Sequence, residues 1–110
     1  MAIKKKFNEL EVLLREQLKD EGIRFIEEYV FHPERKWRLD FYFPNAGFPW
    51  GVEINGGGWN QGGHNRNALT MAKDYEKVNT AQEMGIKMLS YTGEMIKDLT
   101  AITQIIRILK

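Results

Sequence analysis

The chain has 110 residues, of which 43% are hydrophobic and 28% charged, with a formal net charge of +1 and no cysteine. These values are typical of one globular domain, and we expect a single domain over residues 1–110. The absence of cysteine excludes zinc ribbons, iron–sulfur clusters and thiol nucleophiles. The near-zero net charge argues against a protein that coats nucleic acid by bulk electrostatics.

The sequence predicts neither a membrane-spanning helix nor a signal peptide. No apolar run approaches the roughly 20 residues that a membrane-spanning helix needs. The opening residues, MAIKKKFNELEVLL, become polar too early for a signal peptide. We therefore expect a cytoplasmic protein that does not contact a membrane.

The first half of the chain predicts a helix followed by three strands. Apolar residues recur every three or four positions from Ile3 to Glu21, which indicates an amphipathic helix, and Gly22 suits its C-cap. Segments rich in β-branched and aromatic residues follow, separated by proline-containing turns, at residues 23–32, 37–43 and 50–55. In the second of these strands, alternation predicts that Leu39, Phe41 and Phe43 share one face.

The second half predicts a loop, two helices and a fourth strand. Residues 56–64 (GGGWNQGGH) are too rich in glycine for a helix or a strand. Helical periodicity runs from Asn65 to about Met84, a buried strand from Ile86 to Tyr91, and a final helix from Gly93 onward. The order α-β-β-β-α-β-α, with a helical crossover before the last strand, predicts an α/β fold with a central mixed sheet flanked by helices.

Acidic residues on two of these strands make a candidate magnesium site. Asp40 lies on the second strand and Glu53 on the third, so pairing of the strands brings the two carboxylates to one point of the sheet. With the carbonyl oxygen of Ile54 they offer the oxygen ligands that Mg²⁺ prefers. The alternative is that these carboxylates face solvent or pair with Arg38 and Lys36.

Glu11 on the first helix is a candidate third ligand. It precedes Leu14 and Leu18 by three and seven positions, which places it beside the apolar stripe that faces the sheet. A buried carboxylate needs a partner, and a metal ion is one. The other candidate partner is Arg15, four residues further along the helix.

Several short motifs, taken in order, resemble the PD-(D/E)XK nuclease superfamily, whose restriction-endonuclease-like core is a helix, three antiparallel strands, a helix and a strand. Asp40 and Glu53-Ile54-Asn55 fall where that superfamily has an aspartate and a D/E-x-K that bind divalent metal. The chain is more closely similar to small phage and prophage endonucleases related to very short patch repair endonucleases and Holliday junction resolvases. This likeness rests on RKWRLDF, VEINGG, the glycine and histidine loop, and DYEKVN.

The resemblance implies a DNA endonuclease that uses Mg²⁺ or Mn²⁺ to hydrolyse phosphodiester bonds in a bacterial host cell, selective for a junction, nick or mismatch. Asp40, Glu53 and Glu11 would hold the metal. Asn55 departs from the pattern, because the superfamily has a lysine there and asparagine carries no positive charge. Three replacements remain open: His64 of the glycine loop, Lys77 of the following helix, or metal-bound water without a further residue.

Candidate DNA contacts surround this site. Trp59 is placed to stack on a base, and phosphate contacts are expected from Arg35, Lys36, Arg38 and Arg66. A homodimer would suit the cutting of two strands, and both monomer and dimer stay open.

Two other functions compete with the endonuclease: an NTPase and an inactive binding module. No Gly-Lys-Ser/Thr follows the glycine run, which argues against an NTPase. The second is a catalytically inactive nuclease-fold module that binds DNA or a protein partner. Asn55 favours this module, whereas the retained carboxylates and His64 disfavour it, because carboxylates without metal repel phosphate.

Overall fold

The computed structural model describes residues 5–44, 48–55 and 68–110. In these ranges a four-stranded sheet is flanked by helices, which confirms the predicted α/β class. The elements in chain order are α1 (Lys5–Asp20), β1 (Ile26–Val30), β2 (Arg38–Phe43), β3 (Trp50–Asn55), α2 (Ala68–Glu83), β4 (Lys87–Thr92), α3 (Gly93–Lys97) and α4 (Thr100–Leu109). Among the described residues, no helix combines the length and apolar character required to cross a membrane.

The sheet is mixed, as predicted, with the spatial order β1-β2-β3-β4. The first three strands are antiparallel neighbours, and the register pairs Glu27 with Phe41 and Phe41 with Val52. β3 and β4 are parallel along their whole length, from Trp50 opposite Lys87 to Asn55 opposite Thr92. A parallel pair needs a crossover connection, and α2 lies in the segment that supplies it.

Each face of the sheet has its own apolar core. The larger core packs α1, α3 and α4 on one face, where its buried residues are Leu14, Leu18, Ile23, Phe41, Phe43, Val52, Tyr91, Ile96, Ala101, Ile102 and Ile105. The smaller core lies on the other face beneath α2 and consists of Phe31, Leu39, Ala81 and Ile86. The carboxyl ends of β3 and β4 therefore lie between two helical layers.

The side chains of β2 change faces within the strand. Phe41 and Phe43 pack in the larger core, but Leu39 packs in the smaller one, so the prediction of a shared face is wrong for Leu39. The alternation reverses at Asp40. In the β1–β2 register, Glu28 and Asp40 both lie between the pairs Glu27–Phe41 and Tyr29–Leu39, and Glu28 has a left-handed backbone with φ 55°. This backbone conformation in β1 accompanies the reversal in both strands.

Two predicted element boundaries need correction. The final helix is broken into α3 and α4, because Leu99 adopts φ 72° and the Asp98 carboxylate accepts a hydrogen bond from the Thr100 backbone N–H at 2.9 Å. The first strand is shorter than residues 23–32. The predicted C-cap is confirmed, since Gly22 has φ 69° and the Ile23 backbone N–H donates to the carbonyl of Leu18 at 3.0 Å.

Candidate functional site

Asp40 lies where the pairing of β2 with β3 ends. The register between these strands stops at Phe41 opposite Val52, and beyond it the Ile54 backbone N–H donates to Asp40 Oδ2 at 2.7 Å. The carboxylate thus takes the place of a backbone acceptor between the strands. Burial raises the pKa of Asp40, and the hydrogen bond from Ile54 opposes that rise. The structure therefore brings Asp40 and Glu53-Ile54 together, as the sequence predicted.

Glu53 and Lys77 form an ion pair across the interface between β3 and α2. Lys77 Nζ lies 3.1 Å from Glu53 Oε2, and the two side chains are 21% and 15% exposed. Burial, followed by the negative charge of Asp40, raises the pKa of Glu53 to about 7, although Lys77 acts in the opposite direction. Oε2 is buried and has no hydrogen bond of good geometry. Lys77, one of the three predicted replacements for the missing lysine, therefore lies beside the carboxylates.

Glu11 enters the site from α1. It is 8% exposed, and one oxygen of its carboxylate lies within 4.8 Å of one oxygen each of Glu28 and Asp40, which lie within the same distance of each other. Burial is the main cause that raises its pKa, to about 9, and hydrogen bonds with Glu27 and Glu28 add to the effect. The predicted position of Glu11 toward the sheet is correct.

The predicted alternative partners of these carboxylates are not their partners in the structure. Arg15 binds Glu27 through two hydrogen bonds, of 2.9 and 3.0 Å, rather than Glu11. This arginine lowers the pKa of Glu27 although burial alone would raise it. Arg38 is 3.7 Å from Glu28 and not paired with Asp40 or Glu53.

Three of the predicted DNA contacts lie on and beside the turn between β1 and β2. The Arg35 guanidinium stacks on the Trp37 ring at 3.8 Å and is 3.5 Å from the carboxylate of Glu76 in α2. Lys36 and Arg38 are exposed. These cations flank the end of the sheet that holds Asp40, but Arg35 and Arg38 already have acidic neighbours.

Four predicted site residues remain, of which the structure describes Asn55. Asn55 is exposed at the end of β3, opposite Thr92, so it brings no charge to the carboxylates. Trp59, His64 and Arg66 lie outside the described residues. Their proposed roles therefore stay predictions.

The residue that sequence reasoning missed is Glu28. Its left-handed φ of 55° is uncommon for a residue with a side chain and is found at functional sites, where surrounding structure offsets a cost of about 1–3 kcal/mol. A signal was present, because Glu27-Glu28 interrupts an otherwise aromatic and β-branched strand, and glutamate is depleted in strands. The backbone conformation itself leaves no mark in the sequence.

In comparisons with known proteins, no family model, curated protein or solved structure matches the chain. Carboxylates from α1, β1, β2 and β3 converge, and the described part of the chain gives Glu11 no basic partner. Such a set of oxygen donors fits a hard divalent cation such as Mg²⁺ or Mn²⁺, because these ions take carboxylate, carbonyl and water ligands.

Proposed function

We propose that this protein is a Mg²⁺- or Mn²⁺-dependent DNA endonuclease of the PD-(D/E)XK type. The observation that carries the proposal is the convergence of Asp40 and Glu53 from neighbouring strands, with Lys77 3.1 Å from Glu53. An aspartate, a glutamate and a nearby ammonium group are the side chains by which that superfamily hydrolyses phosphodiester bonds. Here the ammonium comes from a helix, whereas the superfamily pattern places it two residues after the glutamate.

The carboxylates would hold the metal. Asp40 keeps one oxygen on the Ile54 N–H, which fixes its orientation and leaves the other oxygen for a cation. Glu53 on the α2 side and Glu11 on the α1 side would complete the ligands of one or two ions, with the Ile54 carbonyl as a further oxygen. A bound divalent cation would lower the pKa of its water and neutralise charge on the scissile phosphate.

Lys77 supplies the positive charge that Asn55 lacks. Its side chain is 21% exposed, and among the α2 side chains that the structure describes, those that are buried or half-buried all lie from Lys77 onward. The ammonium group therefore borders both Glu53 and solvent. From there it would stabilise the negative charge that develops on a phosphate held at Asp40. His64 remains the other candidate for proton transfer.

DNA would approach over the turn between β1 and β2. Arg35, Lys36 and Arg38 offer exposed cations there, and contacts to phosphate carry no sequence information. We propose recognition of DNA structure, such as a junction, nick or mismatch, because so small a domain has little surface for base-specific contacts. Arg66 is a further proposed phosphate contact, and Trp59 would stack on a base. The setting would be phage or prophage DNA in the bacterial cytoplasm, with the protein as a monomer or a homodimer.

An inactive nuclease-fold module that binds DNA or a protein partner is the second candidate. Asn55 favours it, because the residue that normally carries positive charge at the strand is neutral. Lys77 argues against the inactive module, because its ammonium group lies 3.1 Å from Glu53 and can supply the positive charge that Asn55 lacks.

Cleavage of end-labelled DNA tests the proposal. Four-way junction, flap, mismatched, single-stranded and plain duplex DNA would be incubated with the protein and Mg²⁺ or Mn²⁺. We expect metal-dependent cutting that Asp40→Asn abolishes and Lys77→Met lowers by roughly 10²-fold or more. Asp20→Asn, the same change at an exposed position of α1, should cut as the wild type does.

Each outcome selects between the two candidates. Metal-dependent cutting that survives Asp40→Asn would point to a contaminating nuclease and overturn the proposal. Binding of these DNAs without cutting by any metal would favour the inactive module. Loss of cutting in His64→Ala but not in Lys77→Met would move the proton-transfer role to the histidine.

A further inference from the structure

β4 is an edge strand whose outer side has unpaired backbone groups. The Lys87 backbone N–H donates to the carbonyl of Pro49, just before β3, at 3.0 Å. Because the backbone groups of successive strand residues point to alternate sides, the N–H and C=O groups of Met88 and Ser90 point away from β3. In the part of the chain that the structure describes, these four groups have no hydrogen-bond partner. They form an edge on which another strand can pair.

The two edges of the sheet differ in their protection against such pairing. β1, the other edge, carries two adjacent glutamates, and Glu28 interrupts it with a left-handed φ of 55°. Charged residues and irregular backbone are two means by which edge strands avoid further pairing. β4 follows β3 in register along its whole length, and Lys87 is the only charged residue in segment 84–93. The ammonium of Lys87 lies over the rings of Phe48 and Trp50, at 4.5 and 5.3 Å, and so is directed toward β3 rather than beyond the edge.

We propose that β4 pairs in antiparallel orientation with β4 of a second copy of this chain, so that two four-stranded sheets join into one sheet of eight strands. Such a contact is isologous, because the same patch is used by both copies, and two-fold dimers are the commonest protein assemblies.

The register of this pairing follows from the groups that are free. If Met88 pairs with Ser90 of the second copy, all four outward groups of each copy gain a partner. A shift of the register in either direction would require the N–H of Thr92 or of Ile86. These two groups already donate to acceptors of their own chain, at 3.4 and 3.0 Å. The pairing of Met88 with Ser90 is therefore the register that displaces no existing hydrogen bond.

The side chains along this edge suit a second copy. Met84 and Met95, which precede and follow β4, are 46% and 37% exposed. Antiparallel pairing brings the segment after β4 of one copy beside the segment before β4 of the other, so Met95 would lie near Met84 of the second copy at both ends of the contact. Half-buried Leu89 would face its own counterpart on the two-fold axis. Lys87 would face Tyr91 of the second copy, so no like charges stand opposite each other.

A dimer of this form places two candidate metal sites on one sheet. Neighbouring strands are about 4.8 Å apart, and about five such steps separate β2 from β2 of the second copy, which gives about 24 Å between the two Asp40 side chains across the sheet. This consequence, unlike the dimer itself, rests on the proposed function. Each copy would then cut one strand of the same branched DNA.

Sedimentation equilibrium of the full chain without DNA, in a micromolar to millimolar concentration series, tests the dimer. We expect a reversible monomer–dimer equilibrium for wild type and for the matched control Ser90→Thr, which keeps the backbone N–H. Ser90→Pro removes that N–H from both copies and should raise the dimer dissociation constant by roughly tenfold or more. Its fold should persist by circular dichroism, because an edge strand tolerates proline where the N–H faces solvent.

A cysteine cross-link tests the register independently of the proline variant. The chain has no cysteine, so a single introduced thiol can form a disulfide only with a second copy. In the proposed register Leu89 faces Leu89 as a non-hydrogen-bonded pair with Cα atoms about 4.5 Å apart, which a disulfide can span. Leu89→Cys should therefore form a covalent dimer under mild oxidation. Val30→Cys, at a 50% exposed position of the other edge strand, should not.

The outcomes separate this inference from the proposed function. Wild type that stays monomeric throughout the series overturns the inference. A dimer that a folded Ser90→Pro leaves unchanged, or that Val30→Cys traps and Leu89→Cys does not, also overturns it, because the contact would lie elsewhere. If Ser90→Pro does not fold, the cross-link decides. Dimerisation through β4 in a protein that cuts no DNA upholds the inference while the endonuclease proposal fails, and metal-dependent cutting by a monomer does the reverse.

Discussion

Replacing Glu11 by glutamine should make the metal-free protein more resistant to alkaline pH. Burial raises the pKa of Glu11 in the folded protein to about 9, from an ordinary value of 4.5. Between these two values the folded state holds a proton that the unfolded state has released, so the stability provided by that proton is complete below pH 4.5 and is lost as the pH rises toward 9. One proton corresponds to about 1.4 kcal/mol per pH unit. From pH 6 to pH 8 the loss at Glu11 is therefore about 3 kcal/mol.

Urea unfolding in the presence of EDTA at pH 6, 7 and 8 measures this effect. Glu11→Gln cannot ionise, so its free energy of unfolding should fall by about 3 kcal/mol less than that of wild type over this range. Glu16→Gln, an exposed change on the same helix, should keep the wild-type pH dependence. Equal pH dependence in wild type and Glu11→Gln would refute the reasoning. Saturating Mg²⁺ should stabilise wild type at pH 8 and leave Glu11→Gln much less affected.

Two further changes test the packing and the turn beside the site. Gly51→Ala should destabilise the protein by about 1–3 kcal/mol in urea unfolding, because the added Cβ would lie 2.7 Å from Leu39 Cδ1 and 2.9 Å from Met88 Sδ. An unchanged urea midpoint would contradict this packing. His32→Ala should cost about 1 kcal/mol, because His32 Nδ1 accepts two backbone N–H groups of the following turn at 3.0 Å each. His32→Asn should recover most of this loss, since the asparagine side chain can accept the same bonds, and equal losses in both variants would argue against the role of Nδ1.

The elements that local patterns control were predictable from the sequence. Side-chain periodicity and turn residues predict α1 with its glycine C-cap, the antiparallel strands and the parallel pairing of the last two strands. The structure confirms each of these. The proximity of Asp40 to Glu53-Ile54 follows from strand pairing alone. The buried position of Glu11 follows from its place beside the apolar stripe of α1.

The features that escaped prediction depend on backbone conformations imposed by tertiary contacts. Glu28 and Leu99 both adopt a positive φ. Glycine and asparagine are the residues that usually indicate this conformation, and neither stands at these positions. The first conformation accompanies the reversal of faces in β2, and the second divides the final helix. Periodicity assumes a regular backbone, so it fails where the backbone is irregular. In β1 the irregular residue is Glu28 itself, and its backbone conformation brings its side chain to the other carboxylates.

The charges around Asp40 are distributed unequally between the two faces of the sheet. On the α2 side, the ammonium of Lys77 compensates Glu53 at 3.1 Å. On the α1 side, Glu11 and Glu28 face Asp40, and Glu11 must carry a proton at neutral pH when no cation is present. A cation near Glu53 would compete with Lys77, whereas one near Glu11 would compete with the proton on Glu11 and with the hydrogen bonds of Glu11 to Glu27 and Glu28. Because burial disfavours the ionised form of Glu11, a neutral glutamine there would remove this cost from the metal-free fold, whereas the proposed function requires the carboxylate as a metal ligand.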